Sequence, residues 1–395
     1  MRLSSPGTAL TLAVVLVLGV VTTYSAQAQT FTVLYNFTGG ADGGNPYAGL
    51  LRDTAGNLYG TTTVGGSSNN GTVFKLNTSG AESILHSFHG ADGQYPYAGV
   101  IMDAKGNLYG TTANGGTGCS GTGCGTVFKL TPRAGGRWAE TVLHKFTADP
   151  DGAYPFSLIQ DAKGNLYGAT EIGGANAIFG TVFKVSKAGK ETVLHSFAGS
   201  PSDGAFPNLA SLLMDTKGNL YGNTFEGGDT QSAGGAVYKL GKSGVVTVLH
   251  SFGNGTDGFE AVGTPIMDKQ GNLYGTTYTG GSNANGSVWK VSARGKETVL
   301  HSFVGGASDG KYPYSGVILD TKGSLYGVTT EGGASTNGVV YELSAKGVLT
   351  VLHSFAGSDG AFPAGGLIMD AKGNLYGTTV NGGSNGSGTV WKLTP

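Results

Sequence analysis

Gly56-Asn57-Leu58-Tyr59-Gly60 returns along this chain with its first glycine at 106, 164, 218, 271, 323 and 373. The sixth copy reads Gly323-Ser324-Leu325-Tyr326-Gly327. Seven copies at spacings of 50 to 58 residues make a tandem array. A period of that length constrains the architecture more tightly than any single motif.

Reading outward from the last copy, Gly366-Leu367-Ile368-Met369-Asp370 is a short apolar run and Ala371-Lys372-Gly373 a turn. Asn374-Leu375-Tyr376-Gly377-Thr378-Thr379 is a second strand, and a Gly/Ser/Asn loop leads to Gly388-Thr389-Val390-Trp391-Lys392-Leu393. In earlier copies a turn such as Ala188-Gly189-Lys190 leads on to a fourth strand, Thr192-Val193-Leu194-His195-Ser196-Phe197. Short β-branched and aromatic segments broken by Gly and Asp are a sheet signature, and no segment sustains a 3.6-residue period. Four antiparallel strands in a unit of this length make a propeller blade, because solenoid coils are shorter.

The first strand of each unit supports that reading. Four residues before the turn aspartate stand Gly49, Gly99, Ser157, Ser211, Thr264, Gly316 and Gly366, all small, as strands converging on a crowded axis require. Two residues before it stand Leu51, Ile101, Ile159, Leu213, Ile266, Ile318 and Ile368, expected to pack between blades. The chain past residue 28 opens with an orphan fourth strand, Thr32-Val33-Leu34-Tyr35-Asn36-Phe37, and finishes without one. Joining the two removes both open sheet edges. The fold expected is therefore all-β: a seven-bladed β-propeller of four-stranded antiparallel blades over residues 29–395, closed by the N-terminal strand completing the last blade.

Residues 1–28 read as a signal peptide: Arg2, an apolar run from Ala9 to Val21, then Ala26-Gln27-Ala28. The run is shorter than the span of about 20 residues that crosses a membrane, and no second one follows. The chain ends at Thr394-Pro395 directly after a strand, so no sorting tail is expected. The product is expected outside the cytoplasm, extracellular or periplasmic, as a soluble monomer. Without the leader, 23 basic residues face 25 acidic ones, which gives no electrostatic footprint for nucleic acid. Cys119 and Cys124, the only cysteines, are expected to form a local disulfide in that compartment.

The units, with Gly-Asn-Leu-Tyr-Gly followed by Gly-Thr-Val-Phe-Lys-Leu and Val-Leu-His-Ser-Phe, resemble the Gloeobacter–Verrucomicrobia tandem repeat of the "choice-of-anchor tandem repeat GloVer-containing" proteins. The resemblance covers nearly the whole chain past the leader. It implies a secreted or surface-displayed protein and brings no catalytic residues with it.

The remaining motifs divide between turn devices and candidate contacts. Asp53, Asp103, Asp161, Asp215, Asp268, Asp320 and Asp370 read as hairpin aspartates that accept backbone N–H bonds. His86, His144, His195, His250, His301 and His353 share one register of the fourth strand. Equivalents on neighbouring blades should lie roughly 15–20 Å apart, too far to share a zinc ion, so they read as hydrogen-bonding or packing residues. Lys75, Lys129, Lys184, Lys239, Lys290 and Lys392 follow the third-strand aromatics and read as solvated edge charges.

Asp-Gly-x-x-Pro recurs at Asp42, Asp92, Asp151, Asp203, Asp309 and Asp359, with aromatics beside the proline at Tyr47, Tyr95, Tyr154, Phe206, Tyr312 and Phe362. This crossover should share a propeller face with the variable loop after the second strand, which holds Asn114, Glu171, Glu226, Glu331 and Asn381. Function tends to sit on loops held by a rigid scaffold. The candidate contact set is therefore Asp92, Asp151, Asp203, Asp309, Asp359, Tyr95, Tyr154, Tyr312, Asn114, Glu171, Glu226, Glu331 and Asn381.

The function expected is a binding or adhesion propeller, its partner a glycan or another surface protein, since exposed aromatics beside Asp and Asn suit sugars. A structural or interaction scaffold is the alternative. A polysaccharide-active enzyme is third, because Glu226 and Glu331 stand two blades apart with no motif around them. No catalytic residue, cofactor or metal set is assigned. A calcium role for the aspartate loops stays open, although no compact calcium loop is present.

Overall fold

A computed structural model of the protein describes residues 29–394, apart from 176–177, 202, 208–211 and 229–233. Residues 1–28, read as a signal peptide, and Ser211 lie outside the described residues. Seven four-stranded antiparallel sheets form a seven-bladed β-propeller. Two single 3₁₀ turns, Cys119–Gly121 and Ala134–Gly136, are the only helical pieces among the described residues.

Each blade is built by local chemistry that the repeat carries. In blade 1, Leu51–Arg52 is the inner strand, followed by Leu58–Thr62, Thr72–Leu76 and the outer Glu82–Ser87. Asp53 closes the first hairpin. Its carboxylate accepts the Asn57 backbone N–H at 2.8 Å, the Asn57 amide at 2.7 Å and the Tyr59 hydroxyl at 3.1 Å. Although burial works against it, these donors hold Asp53 below the usual carboxylate range. Asp-x-x-Gly-Asn-Leu-Tyr is thus one hydrogen-bonded unit. Its final glycine is fixed by packing: a Cβ on Gly60 would come within 2.6 Å of the Phe74 ring on the third strand. The lysines after these aromatics correct the expectation of solvated edge charges. They sit on an interior strand, and Lys75 Nζ lies 5.7 Å from the centre of the Tyr59 ring, as Lys184 does over Tyr167 at 5.6 Å.

The ring is closed by non-local packing. Thr30–Asn36 pairs antiparallel with Thr389–Thr394, Phe31 opposite Leu393 and Asn36 opposite Thr389. Each of the seven hydrophobic clusters joins one blade to the next, including Tyr376 and Val390 of blade 7 with Phe37, Leu58 and Phe74 of blade 1. An open array of seven blades would have one junction fewer. At each junction a crossover phenylalanine meets the next third-strand aromatic, as Phe37 meets Phe74 at 5.1 Å between ring centres. Around the axis space is short at several of the small residues: a Cβ on Gly49 would stand 2.6 Å from the Gly366 carbonyl, and one on Gly99 2.7 Å from that of Gly49. Hydroxyls bridge neighbouring blades there, with Thr61 donating to Ala98 O and Thr378 to Ala48 O, each at 2.9 Å.

Cys119 and Cys124 are disulfide-bonded across five residues in the blade 2 loop. Closing so short a loop constrains little of the unfolded chain, about 2 kcal/mol at most. Replacing both by Ser is expected to lower the melting temperature by only a few degrees, about what that energy is worth in a domain of this size. Collapse of the fold in a thermal melt of that variant would contradict a local role.

Candidate functional site

The two faces differ as the repeat suggests. One holds only hairpin turns. On the other, the crossover runs beside the loop after the second strand: Gln94 pairs with Asn114, Ala153 with Ile172, Lys311 with Glu331 and Ala361 with Asn381.

The Asp-Gly aspartates reach back to the outer strand they follow. Asp92 Oδ2 lies 3.0 Å from His86 Nε2, Asp151 2.9 Å from His144, Asp203 2.6 Å from His195 and Asp359 2.9 Å from His353. Asp309 takes His301 at 3.1 Å, the Val304 N–H at 2.9 Å and the Gly310 N–H at 2.7 Å. In the first crossover, Tyr35 replaces histidine and donates its hydroxyl to Asp42 at 3.0 Å. The register of histidines is thus a register of turn anchors. The following glycine is fixed by contact, since a Cβ on Gly152, Gly258 or Gly43 would overlap the second-strand Thr170, Thr277 or Thr62.

The residue before proline, or before Ala261 in the one crossover without it, is left-handed: Asn45, Tyr95, Tyr154, Phe206, Glu260, Tyr312 and Phe362 have φ between 53° and 62°. Its N–H turns toward the preceding blade, as Tyr95 N–H donates to Asn70 O at 2.9 Å and Tyr312 N–H to Asn285 O at 2.8 Å. Seven strained positions persist because each braces two blades. Tyr95, Tyr154 and Tyr312 are therefore half-buried braces, and Tyr312 also meets the Tyr278 ring at 5.3 Å.

The three loop glutamates do not converge. Glu226 and Glu331 occupy one register of the loop, Glu226 exposed and Glu331 paired with Lys311 at 2.7 Å. Asn114 and Asn381 share that register, and Asn381 accepts the Asn45 amide at 3.1 Å. Glu171 stands one residue earlier in its loop, aligned with Tyr278. Strand alternation turns it the other way. It is half-buried, its carboxyl raised by burial, and it acts electrostatically on Tyr97 and Tyr314.

Those tyrosines mark what sequence reading missed. The residue after the crossover proline points to the propeller axis, and there Tyr47, Tyr97 and Tyr314 wall a recess of about 350 Å³. Tyr47 and Tyr97 meet at 5.2 Å between ring centres, and Tyr314 packs on Tyr278 at 5.5 Å. Tyr97 remains 39% exposed. Blade 7 has Ala364 between Tyr314 and Tyr47. The blade 3 crossover is one residue shorter, which places Phe156 in the buried register of Ala98. Among the described residues the tyrosines of the rim come from blades 6, 1 and 2. Pro46-Tyr47, Pro96-Tyr97 and Pro313-Tyr314 against Pro363-Ala364 was the available signal. Among the described residues no three His, Cys, Asp or Glu side chains group as metal ligands.

A second set of acids titrates at the outer edge. Glu82, Glu191 and Glu297 begin an outer strand, and Glu140 holds the same register inside the longer strand Trp138–Lys145, next to the anchor pair of the preceding blade; Phe31 holds that place in blade 7, stacked on His353 at 3.7 Å. Burial pushes Glu82, Glu140 and Glu191 up to about 7. Their folded pKa lies above the ordinary 4.5, so their stabilisation is complete below 4.5 and is lost as pH rises through about 7. Burial lowers His86 and His353 from 6.5, and their share is lost in the other direction, as pH falls below 6.5. The melting temperature is expected to fall between pH 6.5 and 7, where the histidines no longer offset the glutamates. A Glu82→Gln, Glu140→Gln, Glu191→Gln variant should flatten that slope; an unchanged slope would refute the assignment.

The family described as Gloeobacter/Verrucomicrobia repeat matches the chain over residues 14–234 and 229–395. No curated protein matches it. Among solved structures, one described as the extracellular domain of a one-component system from B. thetaiotaomicron is similar at 12% identity and a TM-score of 0.57, covering 92% of this chain and 40% of that one. One described as a 6-phosphogluconolactonase from Bacteroides uniformis is similar at 16% identity and a TM-score of 0.52, covering 81% of this chain and 88% of that one. A Mycobacterium tuberculosis puromycin-hydrolyzing peptidase is similar at 13% identity and a TM-score of 0.50, covering 87% of this chain and 51% of that one. At these identities the likeness is one of fold.

Proposed function

The chain belongs to the Gloeobacter/Verrucomicrobia repeat family, and from that premise we propose that it is a secreted binding propeller that holds a glycan at the axial mouth of its loop face. The observation that carries this reading is the recess walled by Tyr47, Tyr97 and Tyr314. Aromatic faces at the mouth of a rigid, largely preformed hollow are what a sugar ring stacks on, and backbone carbonyls of the inner strands supply acceptors for its hydroxyls. The leader and the disulfide favour an oxidising, extracytoplasmic compartment. The loop aspartates and the tyrosines before proline serve as the frame of this site, because their polar groups are already bonded to the outer strand and the preceding blade.

A glycan array and a polysaccharide pull-down test the reading, run on the full secreted chain beside a Tyr97→Ala, Tyr314→Ala variant. Retention of a glycan by the first and its loss in the second, without turnover, is the expected result. Turnover would make the protein an enzyme. Binding that survives in the double variant would move the site elsewhere, and silence of both would favour a scaffold.

A further inference from the structure

We propose that the hairpin-turn face is a second docking surface, which takes an acidic polysaccharide by its carboxylates, with Lys163, Lys184, Lys217 and Lys242 in the cleft between blades 3 and 4 as the centre of contact. This surface lies on the face opposite the axial mouth and is independent of the glycan reading made there.

The near-zero net charge conceals a separation that the fold creates. Of the 23 lysines and arginines past residue 28, all but Lys145 and Lys311 lie in the hairpin turns or in the strand halves that run to that face. The Asp-Gly aspartates of all seven crossovers lie on the loop face, where Lys311 is already paired with Glu331. Among the described residues no lysine or arginine of the hairpin face stands in an ion pair. Like charges grouped on one face draw an anion to it even when the whole chain is nearly neutral.

The cleft between blades 3 and 4 concentrates this charge. Lys163, Lys184, Lys217 and Lys242 line a volume of about 540 Å³. Lys163, Lys217 and Lys242 are exposed, and Lys184 is half-buried over the Tyr167 ring. Asp161 and Asp215 line the cleft too, but their carboxylates are engaged within their own hairpins. Asp161 accepts the Lys163 and Asn165 backbone N–H groups at 2.9 Å, the Asn165 amide at 2.7 Å and the Tyr167 hydroxyl at 3.1 Å. Asp215 repeats the set with Lys217, Asn219 and Tyr221. Four ammonium groups thus face two carboxylates. The cleft between blades 5 and 6 is balanced instead, with Lys269 and Lys290 against Asp268 and Asp320. Leu194, Met214, Leu220 and Leu240 supply the apolar lining between blades 3 and 4. Lysines beside apolar lining suit a sugar ring that carries a carboxylate, its C–H face on the aliphatics and its charge on the ammonium groups. A nucleic-acid duplex or a lipid surface would meet only the exposed turn tips, whereas a single saccharide chain enters the cleft and reaches Lys184.

The probe is hexagalacturonate, titrated calorimetrically into the full secreted chain in calcium-free buffer at about 50 and about 200 mM salt. It should bind at the lower salt and lose about tenfold in affinity at the higher, as the release of a few counterions requires. A Lys163→Gln, Lys217→Gln, Lys242→Gln variant should weaken it about tenfold at the lower salt with the melting temperature unchanged, since all three side chains are exposed. A Lys322→Gln, Lys346→Gln, Lys372→Gln variant removes the same charge from blades 6 and 7 and should weaken it by no more than about threefold. Equal losses in the two variants would overturn the cleft as the centre of contact, and failure of the unaltered chain to bind would overturn the surface altogether. Tighter binding of phosphatidylglycerol vesicles or of a thymidine hexanucleotide would overturn the polysaccharide as its occupant. The Tyr97→Ala, Tyr314→Ala variant should bind hexagalacturonate unchanged, so that failure at the axial mouth and failure at this face are read separately; a loss there would place the acidic sugar at the mouth and overturn the second surface.

Discussion

A chain beginning at Thr38, lacking the strand Thr30–Asn36 and Phe37, is expected to lose its cooperative unfolding transition. The strand completes the last blade by pairing with Thr389–Thr394. Its Phe31 ring lies 5.6 Å from Trp391, and Phe37 fills the junction to blade 1 against Phe74. Removing it uncovers Trp391, Val390 and Leu393, all buried. Each such side chain contributes about 1.5–3 kcal/mol by burial, so the loss approaches the whole stability of about 5–15 kcal/mol of a typical domain. The ring also opens, and an unpaired edge on blade 7 invites aggregation. Calorimetry of the two chains decides it. A synthetic peptide of residues 29–37 should partly restore the transition by adding as a strand. A truncated chain that melts like the full one would mean that the ring does not depend on this closure.

Asp309→Ala is expected to destabilise the protein by about 3 kcal/mol or more, since it strips a buried carboxylate from three donors at once. Asp309 is 5% exposed and accepts from His301 Nε2 and from two backbone N–H groups. Glu226→Gln and Glu331→Gln on the same face should stay within about 0.5 kcal/mol, because Glu226 is exposed and Glu331 forms a partly exposed ion pair with Lys311. Urea titrations of the three variants measure the contrast. A small effect at Asp309 together with lost ligand binding would reverse the division drawn between frame and site.

The histidine register shows how far pattern reading reaches. Six histidines in one strand position exclude a shared metal by distance alone, yet their partners lie six to eight residues on, in the crossover that follows. That pairing was within reach of the sequence, because His and Asp recur together in each unit. The third-strand lysines were misplaced because alternation says only which side of the sheet they leave. It does not say that the strand stands inside the blade, where the second-strand Tyr59 or Tyr167 opposite puts its ring under the lysine.

By itself the sequence determined the number of blades, their four strands, the hairpin chemistry of Asp-x-x-Gly-Asn-Leu-Tyr, the strand that closes the ring and the face that carries the variable loops. All of these follow from short-range sterics, hydrogen bonding and period-2 alternation, repeated seven times. Only the tertiary structure decided which side chains meet. Tyr47 and Tyr314 come from opposite ends of the chain and line one recess, with the small Ala364 on the blade between them. Glu171 leaves its loop on the opposite side from Glu226 and Glu331, since one step along a strand reverses the direction of a side chain. Convergence on an axis depends on how seven blades are set around it, and no local pattern within one repeat encodes the distance to a blade across the ring.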